Sequence, residues 1–215
     1  LNMDELKALY LKDDGTQGSW NRGGFDDPSI QFHNNVYWSR YMNYENDSRN
    51  RIYGNVGLSY QILPQLKAQY KANLDFYVDK QYERNAVYSQ ELSAYKESSR
   101  QQYELNHEFM LMYNQAFGDY SVTANLGANI MQRHYELIYG QTQGGLAIPL
   151  YYNLANSITT PKAYNYKLEK GINSLFGDVT IGWKSMLYLE ATLRGDKSST
   201  LPKSNNTYVY PSVTA

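Results

Sequence analysis

The chain has 215 residues, with 20 Lys+Arg against 21 Asp+Glu and a formal charge of -1. That balance leaves no basic face for a nucleic-acid partner, and no run approaches the ~20 consecutive apolar residues of a transmembrane helix. Cysteine is absent, which excludes thiolate metal sites, cysteine nucleophiles and disulfides.

A transmembrane β-barrel stays open, because only every second residue of its strands meets lipid. Tyrosine is the conspicuous residue, with 23 copies against 6 of phenylalanine. Its apolar ring and wet hydroxyl suit sheet surfaces and membrane interfaces. Leu1 is not an initiator Met, and Asp4, Glu5 and Lys7 do not form a basic-then-apolar leader. The chain is therefore expected to be an internal piece of something longer.

Residues 1–50 show no strand pattern. Asp4 to Lys12 reads as a short helix with Leu6 and Leu9 on one side. Asp13 to Asp27 is a Gly- and Asp-rich loop, and Asn34 to Asn50 is polar and aromatic. This region is expected to be a large extracellular excursion ahead of the strands in 51–215.

From Arg51 the period is two. Ile52, Gly54, Val56, Leu58, Tyr60 and Ile62 alternate with Tyr53, Asn55, Ser59 and Gln61. Such alternation is a strand with one apolar face. Leu63-Pro64 interrupts it, since Pro cannot donate to a central ladder. Leu66, Ala68, Tyr70, Ala72, Leu74, Phe76 and Val78 then resume it, so 51–62 and 65–79 form a hairpin. A polar loop is expected over 84–100. A second hairpin follows: Leu105, His107, Phe109, Leu111 and Tyr113, then Phe117-Gly118-Asp119, then Tyr120, Val122, Ala124, Leu126, Ala128 and Ile130. His107 falls mid-strand on the apolar face, and the sequence offers no partner for it. A long irregular stretch is expected over 133–171. Leu175, Gly177, Val179, Ile181 and Trp183 lead through Lys184-Ser185 to Leu187, Leu189, Ala191 and Leu193 as a third hairpin. Another loop is expected over 195–207, and Tyr208 to Ala215 read as one more strand.

Short turns and long loops alternate strictly, as in up-and-down barrels of the outer-membrane type. The apolar faces carry Tyr60, Tyr70, Tyr113, Tyr120 and Trp183 near the short turns, and Tyr82 and Tyr103 near the long loops. Two aromatic belts around an aliphatic band are what a bilayer selects. The expected fold is all-β: part of an antiparallel up-and-down transmembrane β-barrel, with about six to seven strands. The alternative is a secreted β-sandwich that holds glycan on tyrosine-rich loops.

Two blocks of residues resemble a known family. Asn35-Val36-Tyr37-Trp38, followed by Arg51-Ile52-Tyr53-Gly54-Asn55-Val56-Gly57-Leu58-Ser59-Tyr60, is similar to a recurrent block of the SusC/RagA-type TonB-linked outer-membrane transporters. So is the run Asn173-Ser174-Leu175-Phe176-Gly177-Asp178-Val179, Arg194-Gly195-Asp196-Lys197-Ser198-Ser199-Thr200-Leu201-Pro202 and Tyr208-Val209-Tyr210-Pro211-Ser212-Val213. Order and spacing carry the resemblance from about Asp4 to the end. Val36, Gly195 and Lys197 depart from the usual residues.

The resemblance implies a 22-stranded barrel in the Gram-negative outer membrane, filled by an N-terminal plug that this chain lacks. It implies import of oligosaccharides, or in RagA-like members of peptides, with energy relayed by TonB through a segment not in this chain. It also implies outer-membrane lipid around the barrel and a SusD-like surface lipoprotein as lid.

No enzymatic constellation emerges. There is no Gly-x-Ser-x-Gly elbow. Asp13-Asp14-Gly15 lacks the spaced ligands and final Glu of a calcium loop. His33, His107 and His134 lie in different elements, and Gly140, Gly144 and Gly145 are not followed by a helix. No catalytic, cofactor or metal residue is expected. Sugars stack their C–H faces on aromatic rings, so Tyr37, Trp38, Tyr151 and Tyr152 are the candidate substrate contacts. Lys67, Lys71, Asp75 and Asp79 on one strand, and Glu190 and Arg194 on another, are expected on the polar faces, packing against a plug.

Overall fold

The structure is a computed structural model that describes residues 2–215. Seven strands form one sheet in sequential order: β1 (Glu45–Leu63), β2 (Leu66–Asn85), β3 (Ala94–Phe117), β4 (Tyr120–Leu146), β5 (Ser157–Trp183), β6 (Leu187–Ser198) and β7 (Thr207–Thr214). The fold is all-β, antiparallel and up-and-down, and the sheet is open at both edges, as a partial barrel is. All seven strands belong to this sheet, so no second sheet among the described residues covers either face. The sandwich alternative is thereby corrected. A sandwich needs two sheets burying one another's apolar sides.

The register shows how alternation becomes two faces. Leu175 opposes Gly195, Val179 opposes Ala191, Ile181 opposes Leu189 and Trp183 opposes Leu187, all on the apolar side. Ala191, Leu193 and Gly195 in turn oppose Val213, Pro211 and Val209. Asp178, Thr180 and Phe176 oppose Thr192, Glu190 and Arg194 on the polar side. The aliphatic side chains stand open: Val56 and Leu58 are each 67% exposed and Leu175 62%. An apolar face of that extent calls for a covering medium or partner.

The short turns follow from local chemistry. Gly118 takes φ +59° at the β3–β4 turn, a left-handed conformation open to glycine at little cost. Lys184 and Ser185 both have positive φ, 52° and 57°, as a tight hairpin with matching twist requires.

The strands run well past the aliphatic alternation. The polar stretches expected as loops over 84–100, 133–171 and 195–207 shrink to 86–93, 147–156 and 199–206. β1 begins at Glu45 inside the region expected to precede the strands. Backbone pairing continues there without any apolar periodicity to announce it. The helix expected over Asp4 to Lys12 is α1 (Met3–Leu9), whose Asn2 side chain accepts from the amides of Asp4 and Glu5. A second helix, α2 (Val36–Tyr41), is capped by Asn35.

Contacts divide the chain into two compact units, each built from strand halves. One gathers the residues up to Asn50, Val78–Arg100 and Leu137–Tyr166, which border the long loops. The other gathers Arg51–Tyr77, Gln101–Glu136 and Lys167–Ala215, which border the short turns.

The loop-side unit is organised by two fully buried residues, Asn35 and Trp38. The Asn35 side chain donates to the carbonyls of Leu6 and Gly18, at 2.7 Å each. Its backbone amide donates to Gln17, whose amide donates in turn to Asn34 and to the Tyr88 carbonyl. The Trp38 indole donates to the Ser89 hydroxyl at 3.0 Å. Asn43 accepts from the Ala86 amide and from Ser89. The N-terminal region is thus tied to loop 86–93. Asp14 is used locally, accepting from the Thr16 hydroxyl and amide, and those bonds hold its carboxyl below the usual carboxylate range.

The turn-side unit explains His107. The Tyr70 hydroxyl lies 2.6 Å from His107 Nδ1 across β2 and β3, with the rings 6.0 Å apart and nearly parallel. The imidazole on the apolar face therefore has a hydrogen-bond partner on the neighbouring strand.

Candidate functional site: the polar strand face

The four residues singled out by stacking chemistry all lie in the loop-side unit. Trp38 is enclosed and offers no free ring face. Tyr37 is half-buried on α2 and stacks on Tyr41, with centroids 6.3 Å apart. Tyr152 is half-buried, accepts from the Val87 amide at 3.2 Å, and has its ring 4.7 Å from the Arg84 guanidinium. Arg84 also sits 4.0 Å from the Tyr44 ring. Tyr151 is 53% exposed at its loop. Trp38 and Tyr152 both reach loop 86–93, through Ser89 and Val87, and the other two do not share that contact.

The polar face of the sheet is the more developed surface. In the turn-side unit, Arg51 grips both Asp75 oxygens, at 2.8 and 2.7 Å. Arg133 binds Glu104 at 2.8 Å, and Asn125 donates to Asp178 at 2.9 Å. Asn129 donates to Asn106. Arg194 binds Asp196 at 2.9 Å and Ser174 at 3.1 Å, with the Phe176 ring beneath its guanidinium. The polar-face expectation for Asp75 and Arg194 thus acquires specific partners.

The loop-side unit carries a ladder of its own. Arg49 binds Asp79 at 2.9 Å, Lys96 binds Glu83 at 2.9 Å, and Arg100 donates to Gln81 at 2.8 Å. Gln81 donates to Glu45. Tyr139 stacks on Tyr164 across β4 and β5, with centroids 4.9 Å apart and planes 29° apart. The Tyr139 hydroxyl donates to Gln141 at 2.8 Å. Tyr164 and Tyr166 stand 48% and 51% exposed.

The tyrosines of β4 and β5 were not among the sequence candidates, because 133–171 lacks aliphatic alternation. A signal was present. Tyr135, Leu137, Tyr139 and Gln141, and Tyr164, Tyr166 and Leu168, keep period two. The surface offers exposed phenol rings beside paired charges of both signs. It can stack on and hydrogen-bond a polar chain. Among the described residues, no group of three or more His, Asp or Glu is arranged to hold a metal ion.

Comparison with solved structures bears on the fold. The chain is similar to a chain in the structure of the RagAB peptide transporter, at 16% identity and a TM-score of 0.74, over 93% of this chain and 23% of that one. It matches the RagAB peptide importer in its 'closed-closed' state at 16% identity and TM-score 0.78, over 94% of this chain and 23% of that one. The 'open-open' state gives 16% identity and TM-score 0.75, over 94% and 22%. The chain therefore spans under a quarter of each of those chains, and shares their β-barrel fold over that part. The sequence matches no protein-family model and no curated protein.

Proposed function

We propose that the chain is a section of a TonB-dependent transporter barrel in a Gram-negative outer membrane. The observation that carries this reading is the two-faced sheet: seven long up-and-down strands with an open aliphatic side and a charge-paired, tyrosine-bearing side. The aliphatic side meets lipid, and the polar side faces an N-terminal plug and the transported solute. TonB would act through a segment outside this chain. A SusD-like lipoprotein would cover the outer mouth, and the likeness to RagAB supports such a partner.

The solute is a polar oligomer. A peptide is favoured by the mixed-sign ladder, which offers partners to both ends of a zwitterionic chain, and by the likeness to a peptide importer. An oligosaccharide is the second reading, favoured by the partly exposed side chains of Tyr164 and Tyr166 and by exposed Tyr151. Tyr37 and Tyr152 are assigned to shaping the loops in either reading, and Trp38 to anchoring them.

The test is uptake by cells that depend on the complete protein. Labelled oligopeptides and labelled oligosaccharides are supplied separately, with and without dissipation of the proton gradient. Energy-dependent uptake of one class, lowered by a Tyr164→Ala/Tyr166→Ala variant, supports the transporter reading and identifies the class. Uptake of neither class, or uptake indifferent to the gradient, overturns it.

A further inference from the structure

Beyond the aliphatic band, the outward faces of the turn-side unit carry a polar row that the transport reading does not use. On β4, Ile130 is followed outward by Gln132 and His134. On β3, Tyr103 lies beyond Leu105, and on β5, Glu169 lies beyond Leu175. Four residues at ~3.3 Å rise, tilted by roughly 40°, put His134 about 10 Å beyond Ile130. That is the depth of lipid headgroups rather than of acyl chains.

The row is constructed rather than scattered. The His134 imidazole stacks on the Tyr103 ring, with centroids 5.4 Å apart and planes 15° apart. Its Nδ1 stands 3.3 Å from Glu169. The His134 side chain is only 19% exposed while that of Glu169 is 81% exposed, so the ring is packed and the carboxylate reaches outward. Tyr103, Gln132, His134, Glu169, Gly171 and Ser199, together with Arg133 and Lys170, border a concavity of about 350 Å³. Gly171 leaves its floor open: a Cβ there would meet nothing nearer than 3.9 Å. Ser199 closes one side, accepting from the Gly171 amide at 2.8 Å and donating its own amide to the Gly171 carbonyl at 2.9 Å.

The lining has a definite chemistry. Glu169 keeps acceptor capacity beyond its contact with His134, Gln132 can donate and accept, and the Ser199 hydroxyl keeps its proton to give. Tyr103 and His134 add flat ring surface. An acyl chain would leave these groups unsatisfied. A phosphate would face the Glu169 carboxylate, because alternation turns the Arg133 and Lys170 side chains to the opposite face, where Arg133 already holds Glu104 at 2.8 Å. A hydroxyl-rich ring satisfies them. The geometry points to a saccharide-binding site on the outer surface of the barrel, filled by the sugar headgroup of an outer-leaflet glycolipid. It rests on the membrane reading above, and is separate from the polar face assigned to the solute.

The test uses the complete barrel protein in nanodiscs of phosphatidylethanolamine with a minor fraction of a second lipid. That lipid is either a neutral glycosyldiacylglycerol carrying a short oligosaccharide or the same diacylglycerol without sugar. Native mass spectrometry counts the molecules of the second lipid retained on release. Retention of the sugar-bearing lipid should exceed that of the sugar-free one at least five-fold. Glu169→Gln and Tyr103→Ala should each remove that difference, while Glu190→Gln on the polar face should leave it unchanged. Heat-modifiable gel mobility confirms that each variant is a closed barrel. Equal retention of the two lipids, or retention indifferent to Glu169→Gln and Tyr103→Ala, overturns the inference alone and leaves transport standing. A protein that does not insert into the bilayer overturns both.

Discussion

At the residue scale, the proposed membrane setting fixes the penalties. Tyr70 and His107 satisfy one another on the apolar face, where in lipid no water would replace a lost partner. Tyr70→Phe should destabilise the barrel by about 1–3 kcal/mol, the cost of an orphaned polar group. The double variant Tyr70→Phe/His107→Phe should recover most of that loss, as urea unfolding of the reconstituted protein would report. Equal losses in the single and double variants would mean that the hydrogen bond is incidental. The faces themselves are tested by arginine. Leu111→Arg or Leu126→Arg should cost about 2–4 kcal/mol near the midplane. Asn106→Arg or Asn125→Arg should cost much less, since the polar face already holds carboxylates such as Glu104 and Asp178. Matching penalties on the two faces would contradict the assignment.

At the element scale, the aliphatic halves of the strands were legible and the polar halves were not. Val56, Leu111, Leu126 and Leu189 announce their strands because hydrocarbon on one side and water on the other impose period two. Beyond the band no such contrast acts. Around Lys96, Gln141 and Lys162 only a fainter period two, carried by tyrosines rather than aliphatic residues, hinted that β3, β4 and β5 continue. The same lack of contrast hid Tyr139 and Tyr164. The helix α2 was unreadable for another reason: it is only Val36–Tyr41, too short for a periodic face, and depends on the buried cap Asn35. Strand pairing also explains one glycine. A Cβ on Gly127 would come 2.3 Å from the Phe176 ring, so β4 yields space to an aromatic side chain of β5. Gly127→Val should force that ring aside and destabilise by about 1–3 kcal/mol, the usual cost of overpacking. Gly57→Val, where a Cβ meets nothing nearer than 3.9 Å, should be tolerated. A thermal unfolding series comparing the two checks this.

At the scale of the whole molecule, one unit is held by polar side chains and the other by an apolar band. The N-terminal region is fastened through Asn35, Trp38 and Asn43. Trp38→Ala should loosen it by about 3–5 kcal/mol, visible as faster proteolysis within residues 2–50 while the membrane-embedded strands stay protected. Loss of protection everywhere would show instead that the two units unfold together. The central claim is that lipid touches the aliphatic face. Because the chain has no cysteine, single cysteines can be placed without background from this segment. Leu111, Leu126, Leu175 and Leu189 would be compared with Asn106, Asn125, Asp178 and Glu190, each replaced by Cys and labelled with a fluorophore in liposomes containing brominated lipid. Strong quenching at the four leucine positions and weak quenching at the other four is the predicted result. Weak quenching at the leucine positions, with protein rather than lipid against them, would contradict the account.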